Sequence, residues 1–175
     1  MKIMTKKINF KITIEETAER HPVPVLGTDY KVKIIYKNIK FAELDVEDKI
    51  IKISLPNKYK KANNEKILDM AIDKMYEQIA KVEVERAMEK TRILLGFAPE
   101  DYEIKKLKKE LGKCEDNKIT INPEIVKYNR KIIDYIVLHQ YCHLKYKTHS
   151  KGFMKMIEKY EPKFEDYEKI VALVK

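Results

Sequence analysis

The sequence predicts one α+β domain, and three observations carry that prediction. Apolar residues alternate with polar ones through the first third, the period of half-buried strands. From residue 64 the apolar spacing lengthens to three and four, the mark of a long amphipathic helix. After a short apolar strand, further helical stretches fill the last third, and one of them carries two of the chain's four histidines.

In order, Ile8, Phe10, Ile12 and Ile14 define a first strand. A loop through His21-Pro22-Val23-Pro24 is expected next, because two prolines break regular pairing. Tyr30, Val32, Ile34 and Tyr36 alternate again, as do Ile51, Ile53 and Leu55 before Pro56. Three or four antiparallel N-terminal strands are therefore expected, with turns at Leu26-Gly27-Thr28 and Val46-Glu47-Asp48. Asn64 is a candidate N-cap for the long helix. Its apolar positions are Ile67, Leu68, Ala71, Ile72, Met75, Ile79, Val82 and Ala87, and Gly96 can end it. Within the charged segment 102–113 a strand is expected at 104–109. Ile119-Thr120-Ile121-Asn122 reads as a short strand closed by Pro123. A helix is predicted over 130–146. Ser150 caps another that runs through Phe153, Met156, Ile157 and Tyr160 and stops before Pro162. A terminal helix covers 164–174. Residues 1–60 thus form a β-rich lobe and 63–175 a mainly helical part of one domain.

At 175 residues the chain can build one good core and not two. Hydrophobic residues at 44% and charged ones at 37% suit a globular protein with a charged surface, and four glycines and six prolines argue against disorder. The net charge of +9 admits a nucleic-acid surface. However, the basic residues are mostly scattered lysines; the arginines are Arg20, Arg86, Arg92 and Arg130, and bidentate phosphate or base recognition favours arginine. A solvated lysine-rich surface is the preferred reading, and nucleic acid is not an expected partner. Cys114 and Cys142 make no disulfide framework and suit a reducing compartment. No apolar run approaches the ~20 residues of a membrane span, and the N-terminal stretch lacks the apolar segment of a signal peptide. A cytoplasmic location is expected; oligomeric state is left open.

The chemistry concentrates in His139-Gln140-Tyr141-Cys142-His143-Leu144-Lys145-Tyr146-Lys147-Thr148-His149. Residues four apart on a helix share one face, with Cβ atoms about 5–6 Å apart. His139 and His143 can therefore converge on one zinc ion at about 2.0–2.1 Å. A continued helix would carry His149 away by about 600° of rotation and ~9 Å of rise. The helix must stop near Tyr146 or Lys147 and the chain must turn back before the Ser150 cap. Three nitrogen ligands leave a fourth position open, the catalytic arrangement; structural zinc sites are usually closed by four protein ligands. An isolated His-x-x-x-His is more often packing or surface chemistry. Here a third histidine at a suitable distance favours a metal, and neutral imidazoles favour zinc, one per chain.

Active zincins carry His-Glu-x-x-His, and Gln140 stands where the glutamate belongs. The stretch 134–144, followed by Thr148-His149-Ser150-Lys151-Gly152-Phe153 and then Pro162, resembles the YgjP-like metallopeptidase family. That family shows an apolar strip, then His-Glu-Leu-Cys-His-Leu, then Asn-His-Ser-Lys-x-Phe. Gly112-Lys113-Cys114 with Lys118-Ile119-Thr120-Ile121-Asn122 resembles the family's Gly-Ser-Cys and strand segment. Its usual Arg-Trp is replaced by Glu110-Leu111. Val25-Leu26-Gly27-Thr28-Asp29-Tyr30 resembles its opening hairpin. Metzincins share the ligand spacing but place glycine where Tyr146 stands. The resemblance implies a zincin-like domain with His139, His143 and His149 as ligands. It also implies that the strand at 119–122 is an edge strand beside the cleft, with Ile119, Ile121 and Asn122 touching an extended substrate by strand addition.

In that chemistry the glutamate takes a proton from water and delivers it to the leaving group. Gln140 keeps size and hydrogen bonding but cannot accept a proton at ordinary pH. General acid–base catalysis is worth about 10²–10⁴-fold, so a zinc-binding chain with little or no turnover is expected. The intact ligand set favours a silenced variant of an active enzyme over a natural pseudoenzyme. Peptide hydrolysis leads; a nucleotide or phosphate-ester hydrolase on the same site is the alternative, and clustered cleft lysines would favour it. Cys142 and Cys114 are expected to be packed thiols, Lys113 and Lys151 solvated charges, and His21 a loop residue. Tyr141, Tyr146 and Tyr160 are weak oxyanion candidates among eleven tyrosines.

Overall fold

The computed structural model describes residues 22–60 and 65–172. The expected strand at 8–14, His21 and the Asn64 cap lie outside the described residues. The first sheet holds β1 (Val23–Val25), β2 (Thr28–Lys37), β3 (Glu43–Glu47) and β4 (Ile50–Pro56), in the order β1-β2-β4-β3. Leu26 and Gly27, with φ of 50° and 79°, form the two-residue turn between β1 and β2. The expected loop at Pro22–Pro24 is corrected: Pro24 sits inside β1, opposite Asp29. It is tolerated there because β1 is an edge strand among the described residues, where a missing N–H breaks no ladder bond.

The all-antiparallel expectation is corrected too, since β2 and β4 run parallel, from Lys31↔Ile50 to Lys37↔Pro56. Asp48 and Lys49, at φ 49° and 61°, fold β3 onto β4 as a hairpin. Ile51, Ile53 and Leu55 of β4 are fully buried, which requires the inner position beside β2. β3, exposed along its whole length, takes the edge.

Helix α1 (Glu65–Leu95) buries Leu68, Ile72, Met75, Tyr76, Ala80, Val84, Ala87 and Met88. Val82, expected on that face, is exposed. Gly96 ends the helix at φ 74°, its N–H donating to Arg92 O at 2.9 Å. Tyr76 Oη donates to Pro24 O at 2.9 Å, tying α1 to β1.

The second sheet holds β5 (Asp101–Ile104), β6 (Gly112–Glu115) and β7 (Lys118–Ile121), in the order β5-β7-β6. The strand expected at 104–109 lies earlier, at β5, which runs parallel to β7 as far as Ile104↔Ile121. Beyond Lys105 the chain leaves the sheet because Asn122 captures it: its Nδ2 donates to Leu107 O at 3.2 Å and Glu110 O at 3.0 Å. β6 and β7 form a two-residue hairpin at Asp116-Asn117, with φ of 45° and 60°. β7 is consequently the central strand and not the edge strand expected.

A 3-10 turn at Pro123–Lys127 leads to α2 (Arg130–Lys145). Leu26 N–H and Gly27 N–H donate to Val126 O and Lys127 O at 2.7 and 3.1 Å, seating the β1–β2 hairpin on this turn. Asn129 caps α2, its side chain accepting from Lys131 N and Ile132 N. Between α1 and α2, buried Glu83 accepts three hydrogen bonds from Arg130 at 2.7–3.1 Å and one from Arg86 at 3.0 Å. Arg86 and Lys90 both pair with Asp134 of α2, at 2.7 and 2.6 Å. Then α3 (Lys151–Tyr160), capped by Ser150 as expected, and α4 (Phe164–Ala172) complete the chain. No helix among the described residues is long and apolar enough to cross a membrane.

Candidate metal centre

Helix α2 presents His139 and His143 one turn apart. The helix stops at Lys145, where Tyr146 N–H makes its last bond to Cys142 O. Three residues of turn then bring His149 back ahead of the Ser150 cap. The Nε2 atom of His139 lies 3.2 Å from that of His143 and 3.0 Å from that of His149. Ligand-type atoms of all three lie within 4.8 Å of one another. Two ligands of a tetrahedral zinc at about 2.0–2.1 Å are about 3.3 Å apart, so the spacing fits a small tetrahedral ion.

Hydrogen bonding at the far side of the His143 and His139 rings decides which nitrogen carries the lone pair. His143 Nδ1 is 3.0 Å from Tyr146 O. A carbonyl only accepts, so Nδ1 carries the proton and Nε2 its lone pair. His139 Nδ1 is 3.2 Å from Tyr135 Oη, which donates its one proton to Glu168 Oε1 at 3.0 Å. The phenol oxygen must then accept from His139 Nδ1–H, which again puts the ring's lone pair on Nε2. Burial pulls the His143 imidazole below its ordinary pKa, which favours the neutral form that can ligate. Beneath the three rings sits Phe153, 1% exposed, its centroid 4.6–5.0 Å from each of theirs. This apolar floor shields the site on that side.

Gln140, 7% exposed, packs against Gly112: a Cβ there would fall 3.0 Å from its Cγ, Cδ and Nε2. Both line a cleft of about 300 Å³ together with Tyr135, His139, His149 and Glu168. Glu110, Leu111, Ile136, Val171 and Ala172 complete its walls.

The expected substrate contacts require correction. Ile119 and Ile121 are fully buried and Asn122 is 3% exposed, and β7 has a strand on each side, which leaves no edge for an added strand. Asn122 instead holds the 105–111 segment in place. The strand that borders the cleft is β6, whose outer edge has no strand partner among the described residues. Asn122 N–H donates to Leu111 O at 2.9 Å. That bond and the two-residue turn set the ladder's alternation, so the backbone amides of Gly112 and Cys114 point outward.

None of the three tyrosine candidates lines the cleft. Tyr141 is buried and donates to Met88 O. Tyr146 offers its backbone to His143 and its ring to Gly152. Tyr160 borders a separate groove. Cys142 is fully buried, and burial pushes its thiol up to about 12. Lys113 pairs with Glu115 at 2.7 Å and Lys151 is exposed. Sequence reasoning missed Tyr135, Phe153 and Glu168. The spacing Tyr135-x-x-x-His139-x-x-x-His143 could have found the first, since all three share a helix face.

A model of the family described as "YgjP-like, metallopeptidase domain" matches residues 2–172. None of the curated proteins matches the chain. Among solved structures, the metallopeptidase zymogen abylysin of Pyrococcus abyssi is 26% identical, with a TM-score of 0.46. That match covers 50% of this chain and 90% of that one. The metallopeptidase zymogen jannalysin of Methanocaldococcus jannaschii is 19% identical, with a TM-score of 0.47, over 52% and 88%.

Proposed function

We propose that this chain, which belongs to the YgjP-like metallopeptidase family, binds one zinc ion and an extended polypeptide but hydrolyses it slowly or not at all. His139, His143 and His149 would hold the ion through Nε2. Zinc bound there supplies a Lewis acid that polarises a scissile carbonyl and acidifies water. The convergence of three Nε2 atoms, with His139 and His149 lining the cleft, is the observation that carries this reading.

The remaining work falls to the chain's own groups. The outward amides of Gly112 and Cys114 can pair with a polypeptide laid along β6, the role assigned from sequence to the next strand. Gln140 projects into the cleft at the position of the proton-transferring glutamate. Its amide can orient a water by hydrogen bonding, yet it cannot take that water's proton. Substrate binding is expected to survive with little or no turnover.

The cleft lining favours a peptide over a nucleotide. Among the described residues no lysine or arginine lines it, whereas Glu110 and Glu168 do, and a polyphosphate would meet like charge there. The test is the Gln140→Glu variant beside the unchanged chain, assayed on casein, on itself and on nucleoside triphosphates. Casein or self-cleavage appearing only in the variant, 10²-fold or more above the parent, is the expected result. Triphosphate hydrolysis in its place would transfer the assignment to phosphate esters. A zinc-loaded variant inactive on all three would make the chain a binding protein.

A further inference from the structure

We infer that Glu168 and Tyr135 orient the His139 imidazole as one hydrogen-bonded chain, and so couple the docking of α4 to metal affinity. This rests on the metal-binding reading above. The chain runs from His139 Nδ1 to Tyr135 Oη at 3.2 Å and on to Glu168 Oε1 at 3.0 Å. Its two ends belong to different elements, the ligand to α2 and the carboxylate to α4.

Three features make this more than a surface contact. Tyr135 is 3% exposed, so with α4 docked its hydroxyl is held among protein groups. Its single proton is committed to Glu168, which leaves its oxygen as acceptor for His139 Nδ1–H and fixes the ligating tautomer. A cation at Nε2 draws electron density from the ring and strengthens Nδ1–H as a donor; the negative carboxylate at the other end compensates for that. Partners of this kind typically account for 10–100-fold in metal affinity.

Helix α4 packs on the core through Phe164, Tyr167 and Val171. Phe164 is its buried residue, and its Tyr167 ring lies 5.7 Å from that of Tyr135. Tyr135 is therefore where α4 meets α2 both by ring packing and by hydrogen bond. Coupling between two binding events is reciprocal. If α4 docking strengthens metal binding, metal binding must tighten α4 by the same factor. Because Glu168, Val171 and Ala172 also wall the cleft, the helix that steadies the ligand also bounds the space offered to substrate.

The experiment measures zinc dissociation constants by chelator competition for the unchanged chain, Tyr135→Phe, Glu168→Ala and the double variant. Tyr135→Phe keeps the ring and deletes the hydroxyl, and Glu168 is exposed, so both variants should fold; circular dichroism checks this. Each single change is expected to weaken zinc 10–100-fold, and the double variant to be no weaker than the worse single one. Glu168→Gln, which keeps an acceptor, should restore part of the loss. Amide exchange across 164–172 should slow when zinc is added to the parent and not to Tyr135→Phe. Wild-type affinity in Tyr135→Phe, or penalties that multiply in the double variant, would overturn the coupling while leaving the metal site standing. A parent that takes up no zinc would overturn both.

Discussion

Gly112 of β6 and Gln140 of α2 are packed backbone to side chain, with a Cβ on the glycine falling 3.0 Å from three atoms of the glutamine. The contact fixes the distance between the strand that borders the cleft and the residue between the two helix ligands. Any side chain at 112 must push Gln140 or move β6. Gly112→Ala is expected to destabilise by about 1–2 kcal/mol, the lower range for overpacking a buried site, as read by urea denaturation. In the Gln140→Glu background it should also lower hydrolysis while zinc content stays unchanged.

Asn122 separates a structural role from a substrate-binding one. Its side chain accepts from Glu124 N and donates to two carbonyls of the segment leading into β6. Asn122→Ala should cost about 1–3 kcal/mol in urea denaturation, since two carbonyls lose their donor in a half-buried setting. A variant of wild-type stability that has lost only substrate binding would contradict this placement.

Glu83 ties the first turn of α2 to α1. Hydrogen bonds from Arg130, with further help from Arg86, hold its carboxyl below the usual carboxylate range against the opposing effect of burial. Because its folded value is the lower one, the stabilisation is complete above the unfolded value near about pH 4.3. It is lost as pH falls through the folded value. Urea midpoints of the parent should therefore fall more steeply below about pH 4 than those of Glu83→Gln. Parallel profiles would remove the clamp from the account.

Cys142 lies between the ligands in sequence and away from them in space. With its thiol buried and its pKa raised to about 12, it should resist iodoacetamide at pH 8 until the chain is unfolded. Cys114, half-buried on β6, should react first. Mass spectrometry of the alkylated peptides reads both.

Much of this was legible in the sequence because the signals are local. The long helix with its Gly96 end, the Ser150 cap and the three histidines depend on spacings within a few residues. The chain reversal that returns His149 follows from the geometry of a straight helix once His149 is the third ligand. What was not legible is neighbourhood. Alternation in β4 shows two faces and says nothing of whether β2 beside it runs parallel. β6 reads Gly-Lys-Cys-Glu, too polar to display a period, and only the Asp116-Asn117 turn marks it. The family resemblance puts the 119–122 strand at an edge beside the cleft, whereas β7 lies between β5 and β6. Tyr135 could be placed on the ligand face from its spacing, whereas Glu168 reaches it from another helix 33 residues on.

The most direct test of the account is metal stoichiometry by mass spectrometry after chelator stripping and reloading with zinc, for the parent and for His139→Ala, His143→Ala and His149→Ala. The structure predicts one zinc per parent chain and a large loss of occupancy in each variant. A folded parent that retains no zinc, or variants that retain it fully, would contradict the central claim.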